Sequence, residues 1–165
     1  MMGSSELRKG INLLLACFGF GIVAALASIF GIVANRVLLL IQLILLTIAC
    51  GYLRHYEGGF DIVYKISIGA IVLLVVAIII PIVSIIGLGV AIVLMIFAGL
   101  AIIAAFIYAV YVIGRFIDSG LVQIGGSILY ALYLLTGALP LIATVLGVIA
   151  NAVVLFGLYN YIKTM

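Results

Sequence analysis

Residues 66–114, ISIGAIVLLVVAIIIPIVSIIGLGVAIVLMIFAGLAIIAAFIYAVYVIG, form an apolar run of 49 residues without one charged side chain. Such a run must be helical in a bilayer, because lipid offers no hydrogen-bond partner to a free backbone N–H or C=O. One continuous helix of this length would extend over ~70 Å at about 1.5 Å per residue, whereas the hydrocarbon core is about 30 Å thick. The run must therefore fold back on itself.

The composition of the whole chain agrees with this conclusion. Hydrophobic residues make up 70% of the 165 residues and charged residues only 7%, whereas soluble domains are about one quarter charged. The alternating pattern of a membrane β-barrel is absent from the sequence. We therefore expect an all-α integral membrane protein with a single transmembrane domain.

Turn-forming residues divide the chain into spans. Gly87 and Gly89 favour a tight turn within the long run, and Pro81 is expected to kink the third helix near its outer end. Glu57-Gly58-Gly59 is interpreted as a turn as well. The predicted spans are residues 11–34, 37–53, 66–86, 89–114, 119–136 and 141–162, which makes six transmembrane helices arranged as three hairpins. Five spans, with 66–114 partly re-entrant, is the main alternative.

The basic residues give an independent test of this topology. With six spans, one side of the membrane holds six of the seven basic residues and the other side holds only Arg36. The positive-inside rule then predicts a multi-pass protein of the plasma membrane with both termini in the cytoplasm. Seven of the nine tyrosines fall near the same boundary, and only Tyr130 and Tyr133 lie deeper.

Every Lys, Arg, Asp, Glu and His lies at a predicted helix end or in a loop. Catalysis or ion coupling within a membrane usually depends on titratable residues inside the spans. A single histidine, His55, and two separated cysteines do not make a metal site. We therefore expect no enzymatic activity, no cofactor and no direct recognition of nucleic acid.

Two groups of residues are candidates for functional contacts. Inside the spans, an amide or hydroxyl could bond a neighbouring helix or, less favoured, a ligand; the candidates are Gln42, Ser84, Thr144 and Asn151. On the cytoplasmic side, basic and aromatic residues could contact lipid head groups or a partner, although a role in orienting the chain also explains the basic ones. These residues are Arg54, His55, Tyr56, Lys65, Arg115 and Lys163. Half of them lie in residues 54–56, at the start of RHYEGGFDIVYK (54–65), which is predicted to be the main cytoplasmic loop.

Small residues recur at helical spacing, as at Cys17, Gly21, Ala25 and Ser28, and such stripes mark close helix packing. They favour a structural or accessory subunit of a membrane assembly, packed in a homo-oligomer or a larger complex and surrounded by membrane lipids. One alternative is a channel, or the substrate-binding membrane subunit of a transporter for a small neutral or apolar solute. Another is a hydrophobic subunit of a secretion, DNA-transfer or viral membrane assembly.

The sequence FGLYNYIK at residues 156–163, the density of Ile, Val, Ala and Gly, and the lack of Trp resemble small multi-pass membrane proteins of thermophilic archaea. The resemblance extends over the whole chain in style and involves no diagnostic motif. It implies an archaeal plasma membrane and no particular activity.

Overall fold

The computed structural model describes residues 2–83 and 86–165, with the side chains of all of these except residues 2, 3 and 32. It is 89% helical, and no strand occurs in the ranges it describes. The elements are α1 (Met2–Ala27), α2 (Ile32–Leu53), α3 (Gly58–Val83), α4 (Gly87–Phe116), a π-helical segment (Leu121–Gly126), α5 (Ser127–Leu135) and α6 (Pro140–Thr164). The predicted all-α class is confirmed.

Five helices, α1 to α4 and α6, are long and apolar enough to cross a membrane. The π-helical segment and α5 together form a shorter apolar helix, Leu121–Leu135. The alternative topology placed the incomplete crossing within residues 66–114, but α3 and α4 have 26 and 30 residues and each can span. The short helix is therefore the fifth.

The first predicted break is wrong by several residues. Residues 11–34 do not form one helix, because α1 ends at Ala27 and α2 begins at Ile32. Gly31 separates the two helices with φ 142° and ψ 155°, a conformation that is essentially restricted to glycine. Asn35 and Arg36 consequently lie in the first turns of α2, which has 22 residues and is no longer a minimal span.

The prediction that residues 54–65 form a loop is also wrong for most of that stretch. Gly58 and Gly59 do not turn the chain but begin α3, and the helix includes Lys65. A Cβ atom on Gly59 would lie 2.7 Å from the Val112 side chain. Gly59 therefore lets α3 pack directly against α4, and the connection is reduced to residues 54–57.

The long apolar run folds back slightly before the predicted position. The helix α3 ends at Val83 rather than residue 86, with Pro81 inside its last turn. Gly87 begins α4, and a Cβ atom there would lie 2.3 Å from the Ile80 side chain. Gly89 lies within α4 and has open space around it, so Gly87 alone provides the close approach.

Contacts between helix ends define two ends of the bundle. At one end, Gly10 of α1 lies against Leu53 of α2, and Phe116 of α4 contacts Phe60 of α3 and Tyr161 of α6. We call this the charged end, because its helix termini carry every basic residue of the chain except Arg36.

The π-helical segment packs closely between α4 and α6. A Cβ atom on Gly114 would lie 2.2 Å from the backbone nitrogen of Gln123, and one on Gly157 would lie 2.5 Å from the Val122 side chain. Because neither glycine has a side chain, the segment can lie directly against the backbones of α4 and α6 at these two positions.

Candidate functional site

Three polar side chains from three helices meet in the buried interior. The Gln42 Nε2 of α2 donates to the Tyr130 hydroxyl of α5 at 2.8 Å and to Asn151 Oδ1 of α6 at 3.3 Å. The Tyr130 hydroxyl donates to the same Asn151 Oδ1. All three side chains have no exposed surface. We call Gln42, Tyr130 and Asn151 the polar cluster.

The surrounding helices enclose the polar cluster tightly. The ring of Tyr130 stacks on Phe106 of α4 with centroids 5.8 Å apart, and Phe18 of α1 meets it edge-on at 5.7 Å. Gly21 of α1 covers the amides, since a Cβ atom there would lie 2.1 Å from Asn151 Oδ1. Five helices therefore converge on this point, and only glycine fits at the α1 position.

The hydrogen bonds of the polar cluster are almost complete. Asn151 Nδ2 donates to the backbone oxygen of Gly147 at 2.7 Å, one turn earlier in α6. Gln42 Oε1 is the one polar atom of the cluster for which the described residues supply no partner. Interhelical hydrogen bonds in membranes are commonly worth about 0.6–2 kcal/mol each, so the cluster joins α2, α5 and α6 in one register.

A second group of polar contacts lies toward the opposite end of the bundle from the charged end. Ser28, in the turn after α1, and Thr144 of α6 are hydrogen-bonded at 2.6 Å through their hydroxyls. Asn35 Nδ2 of α2 donates to the backbone oxygen of Ala24 at 2.7 Å and lies 3.5 Å from the Tyr133 hydroxyl of α5. This group ties α2 to α1 and α5, and the turn after α1 to α6, at the helix ends farther from the charged end.

The intramembrane candidates from the sequence separate in the structure. Gln42 and Asn151 are brought together, whereas Thr144 belongs to the second group. Ser84 lies outside the described residues. Tyr130 is not among the residues predicted from the sequence, although its position away from the boundary where most tyrosines lie was the signal that could have identified it.

The candidate contacts at the charged end are engaged mainly within the chain. Lys65 Nζ lies 2.6 Å from the Asp61 carboxylate, and Arg115 pairs with Glu57. The guanidinium of Arg54 lies 5.1 Å above the Tyr64 ring, and the ammonium of Lys163 lies 4.5 Å above the Tyr159 ring. His55 and Tyr56 are exposed in the turn after α2.

Two cavities open near the same end. The larger, about 560 Å³, lies between the first turns of α1 and the last turn of α6. The smaller, about 240 Å³, lies between the π-helical segment and α6, where Ser119, Asn160 and Thr164 line it together with apolar residues. Neither cavity is lined by a member of the polar cluster.

Within residues 2–83 and 86–165, no three His, Cys, Asp or Glu residues are grouped so that they could hold a metal ion. The chain matches no known family model, and no curated protein or solved structure is significantly similar to it.

Proposed function

We propose that the protein is a structural or accessory subunit of an assembly in the plasma membrane, where it joins copies of itself or a larger complex. It has six transmembrane helices arranged as three hairpins, with both termini in the cytoplasm. The observation that carries this proposal is a two-helix surface, formed by α3 and α4, that the other described residues leave largely uncovered.

This surface, which we call the α3–α4 arm, comprises the described residues 71–83 of α3 and 86–100 of α4. Every buried residue of the arm is small: Ala77, Gly87, Ala91 and Ala98. The main hydrophobic core reaches Ala70 on α3 and resumes at Ala105 on α4, and it includes no buried residue of the arm. The two helices therefore pack on each other there, through alanines at seven-residue spacing, and present apolar side chains outward.

Outward-facing glycines on the arm favour a protein neighbour over lipid alone. A Cβ atom on Gly89 or Gly99 would meet no atom within 4 Å, so neither residue serves the packing of its own chain. Glycine weakens a helix by roughly 0.5–1 kcal/mol relative to alanine. Small residues on a lipid-facing surface allow another helix to approach closely. In an assembly, these glycines would provide such a contact for a neighbouring helix.

The short fifth helix is compatible with six spans. The chain after α5 keeps its backbone groups bonded: Thr136 N–H donates to Leu132 O at 3.0 Å and Leu139 N–H to Thr136 O at 2.9 Å. Backbone outside a helix needs such internal partners at membrane depth. Residues 136–139 can therefore complete the crossing that α5 begins.

The alternative of a channel or transporter subunit required Gln42, Ser84, Thr144 and Asn151 to line a path. Gln42 and Asn151 instead bond each other, with Tyr130 between them, and neither of the two cavities described above reaches them. The structural role is therefore the better supported one.

The proposal is tested by replacing the arm glycines with a bulky side chain. The wild-type protein, extracted in a mild detergent, is expected to be larger than a monomer by light scattering or native mass spectrometry. Gly89→Leu and Gly99→Leu should fold normally, because both positions have open space, and should shift the protein to the monomer.

Gly19→Leu is the matched control, since Gly19 of α1 also has open space around it and lies outside the arm. This variant should keep the wild-type mass. A wild-type protein that is monomeric with no bound partner, or an assembly that persists in both arm variants, would contradict the proposal.

A further inference from the structure

The larger cavity is a groove between α1 and α6 at the charged end, which we call the α1–α6 groove. Its α1 side presents Ser5, Arg8, Lys9 and Asn12. These residues recur at intervals of three to four positions, so they follow one face of the helix. Its volume of about 560 Å³ lies in the range of small-molecule sites, roughly 300–1,000 Å³.

The polar wall of the groove suits an anionic oxygen ligand. The guanidinium of Arg8 can donate two parallel hydrogen bonds to a phosphate, and Lys9 adds a second positive charge. The hydroxyl of Ser5 and the amide of Asn12 supply further donors. No acidic side chain is among the described residues that line the groove.

The other wall of the groove is apolar. Ile162 of α6 is partly exposed and faces the polar residues of α1, whereas Ile11 of α1 is only 1% exposed and closes the base of the groove. A soluble anion gains nothing from contact with an apolar surface. The phosphate of a membrane lipid, in contrast, is attached to a glycerol unit and acyl or isoprenoid chains, which can pack on that surface. The groove lies at the end of the bundle where tyrosines accumulate, which is the depth of lipid head groups.

Other cations at this end are less available to a ligand. Lys65 and Arg115 are paired with carboxylates, and Arg54 and Lys163 lie over tyrosine rings. Among the described residues, Lys65 and Arg115 form ion pairs with acidic side chains, whereas Arg8 and Lys9 do not.

We propose that the α1–α6 groove binds the phosphodiester head group of an anionic membrane lipid, with Arg8 and Lys9 on the phosphate and Ile162 against the glycerol unit. This inference is independent of the proposed assembly, because the groove lies on α1 and α6 whereas the arm lies on α3 and α4.

The test measures lipid binding to the purified full-length protein by native mass spectrometry and by the shift of its thermal unfolding midpoint. Phosphatidylglycerol is the anionic probe, and phosphatidylcholine is the zwitterionic one. We expect at least about tenfold tighter binding of phosphatidylglycerol, because both probes carry the phosphodiester group but the trimethylammonium of phosphatidylcholine cancels its net charge and is repelled by Arg8 and Lys9, whereas basic side chains favour anionic lipids.

Arg8→Gln combined with Lys9→Gln should remove most of this preference. Arg54→Gln combined with Lys163→Gln is the matched control, since it deletes the same charge at the same end and should change binding less than about threefold. Equal losses in the two double variants would overturn the site in favour of diffuse surface attraction. Complete displacement of the lipid by inorganic phosphate would overturn the lipid assignment.

Discussion

At the scale of single residues, the interior is organised around groups that hydrocarbon cannot satisfy. An unpaired amide costs several kcal/mol in an apolar medium, so Gln42 and Asn151 had to find partners. The Tyr130 hydroxyl meets both, and the ring of Tyr130 packs between Phe18 and Phe106. One tyrosine thus bonds both amides, although Gln42 Oε1 keeps no partner among the described residues, and fills the space between α1 and α4.

Gly21 gives the sharpest prediction at this scale. In Gly21→Ala the new methyl group would lie 2.1 Å from Asn151 Oδ1 and 2.5 Å from Gln42 Nε2, so the amides must move. We expect a loss of about 1–3 kcal/mol in the free energy of unfolding, as is typical of overpacked interiors. Reversible unfolding in mixed micelles measures it.

Gly19→Ala is the control for this variant, because Gly19 lies in the same helix with no atom within 4 Å of a new Cβ. Alanine should there be neutral or stabilise the protein by about 0.5–1 kcal/mol. Similar effects at both positions would show that the polar cluster does not confine α1.

At the scale of the helices, individual glycines determine where elements begin and how closely they pack. Gly31 ends the connection between α1 and α2, because its φ of 142° lies in a region that residues with a side chain rarely adopt. Gly59 lets the start of α3 pack closely on Val112 of α4, and Gly114 of α4 lets the backbone of the π-helical segment approach at Gln123. These roles differ, since the first concerns backbone conformation and the others concern space.

The difference can be tested at Gly31. Gly31→Ala should destabilise the protein by about 1–3 kcal/mol through backbone strain alone, because a new Cβ atom would contact nothing within 4 Å. Gly69→Ala, in the helical interior of α3 and equally uncrowded, should be neutral or stabilising. The unfolding assay used for Gly21 also compares these variants, and an unchanged stability in Gly31→Ala would refute the strain.

At the scale of the whole molecule, the proposed orientation depends on the positions of the charges and of the helix ends. Both termini lie at the charged end, since Ser4 and Met165 line the same groove. The proposed orientation, with the positive end in the cytoplasm, would place residues 136–139 and Arg36 at the outer surface.

Cysteine labelling tests this orientation and the sixth span together. In a background lacking Cys17 and Cys50, which are buried, Ala138→Cys should react with a membrane-impermeant maleimide in intact cells. His55→Cys and Thr164→Cys should react only after lysis. Labelling of Ala138→Cys only after lysis, or of Thr164→Cys in intact cells, would mean that α5 does not cross.

Much of this architecture follows from the sequence alone. A chain with 7% charged residues has no means of covering a soluble surface, and lipid forces its apolar runs into helices. Residues 66–114 had to fold back because their length exceeds the membrane thickness. The placement of Lys and Arg at helix ends follows in the same way from the cost of charge in hydrocarbon.

Tertiary structure decided what these patterns leave open. The apolar pattern continues across Gly31, so hydropathy could not locate the break that its backbone conformation makes. RHYEGGFDIVYK is polar enough for a loop, yet α3 begins at Gly58 because Gly59 packs on Val112. The contacts of Gln42 with Tyr130 and Asn151 join residues separated by 88 and 109 positions. Such pairings depend on which helix faces meet, and that is settled only when all the helices pack together.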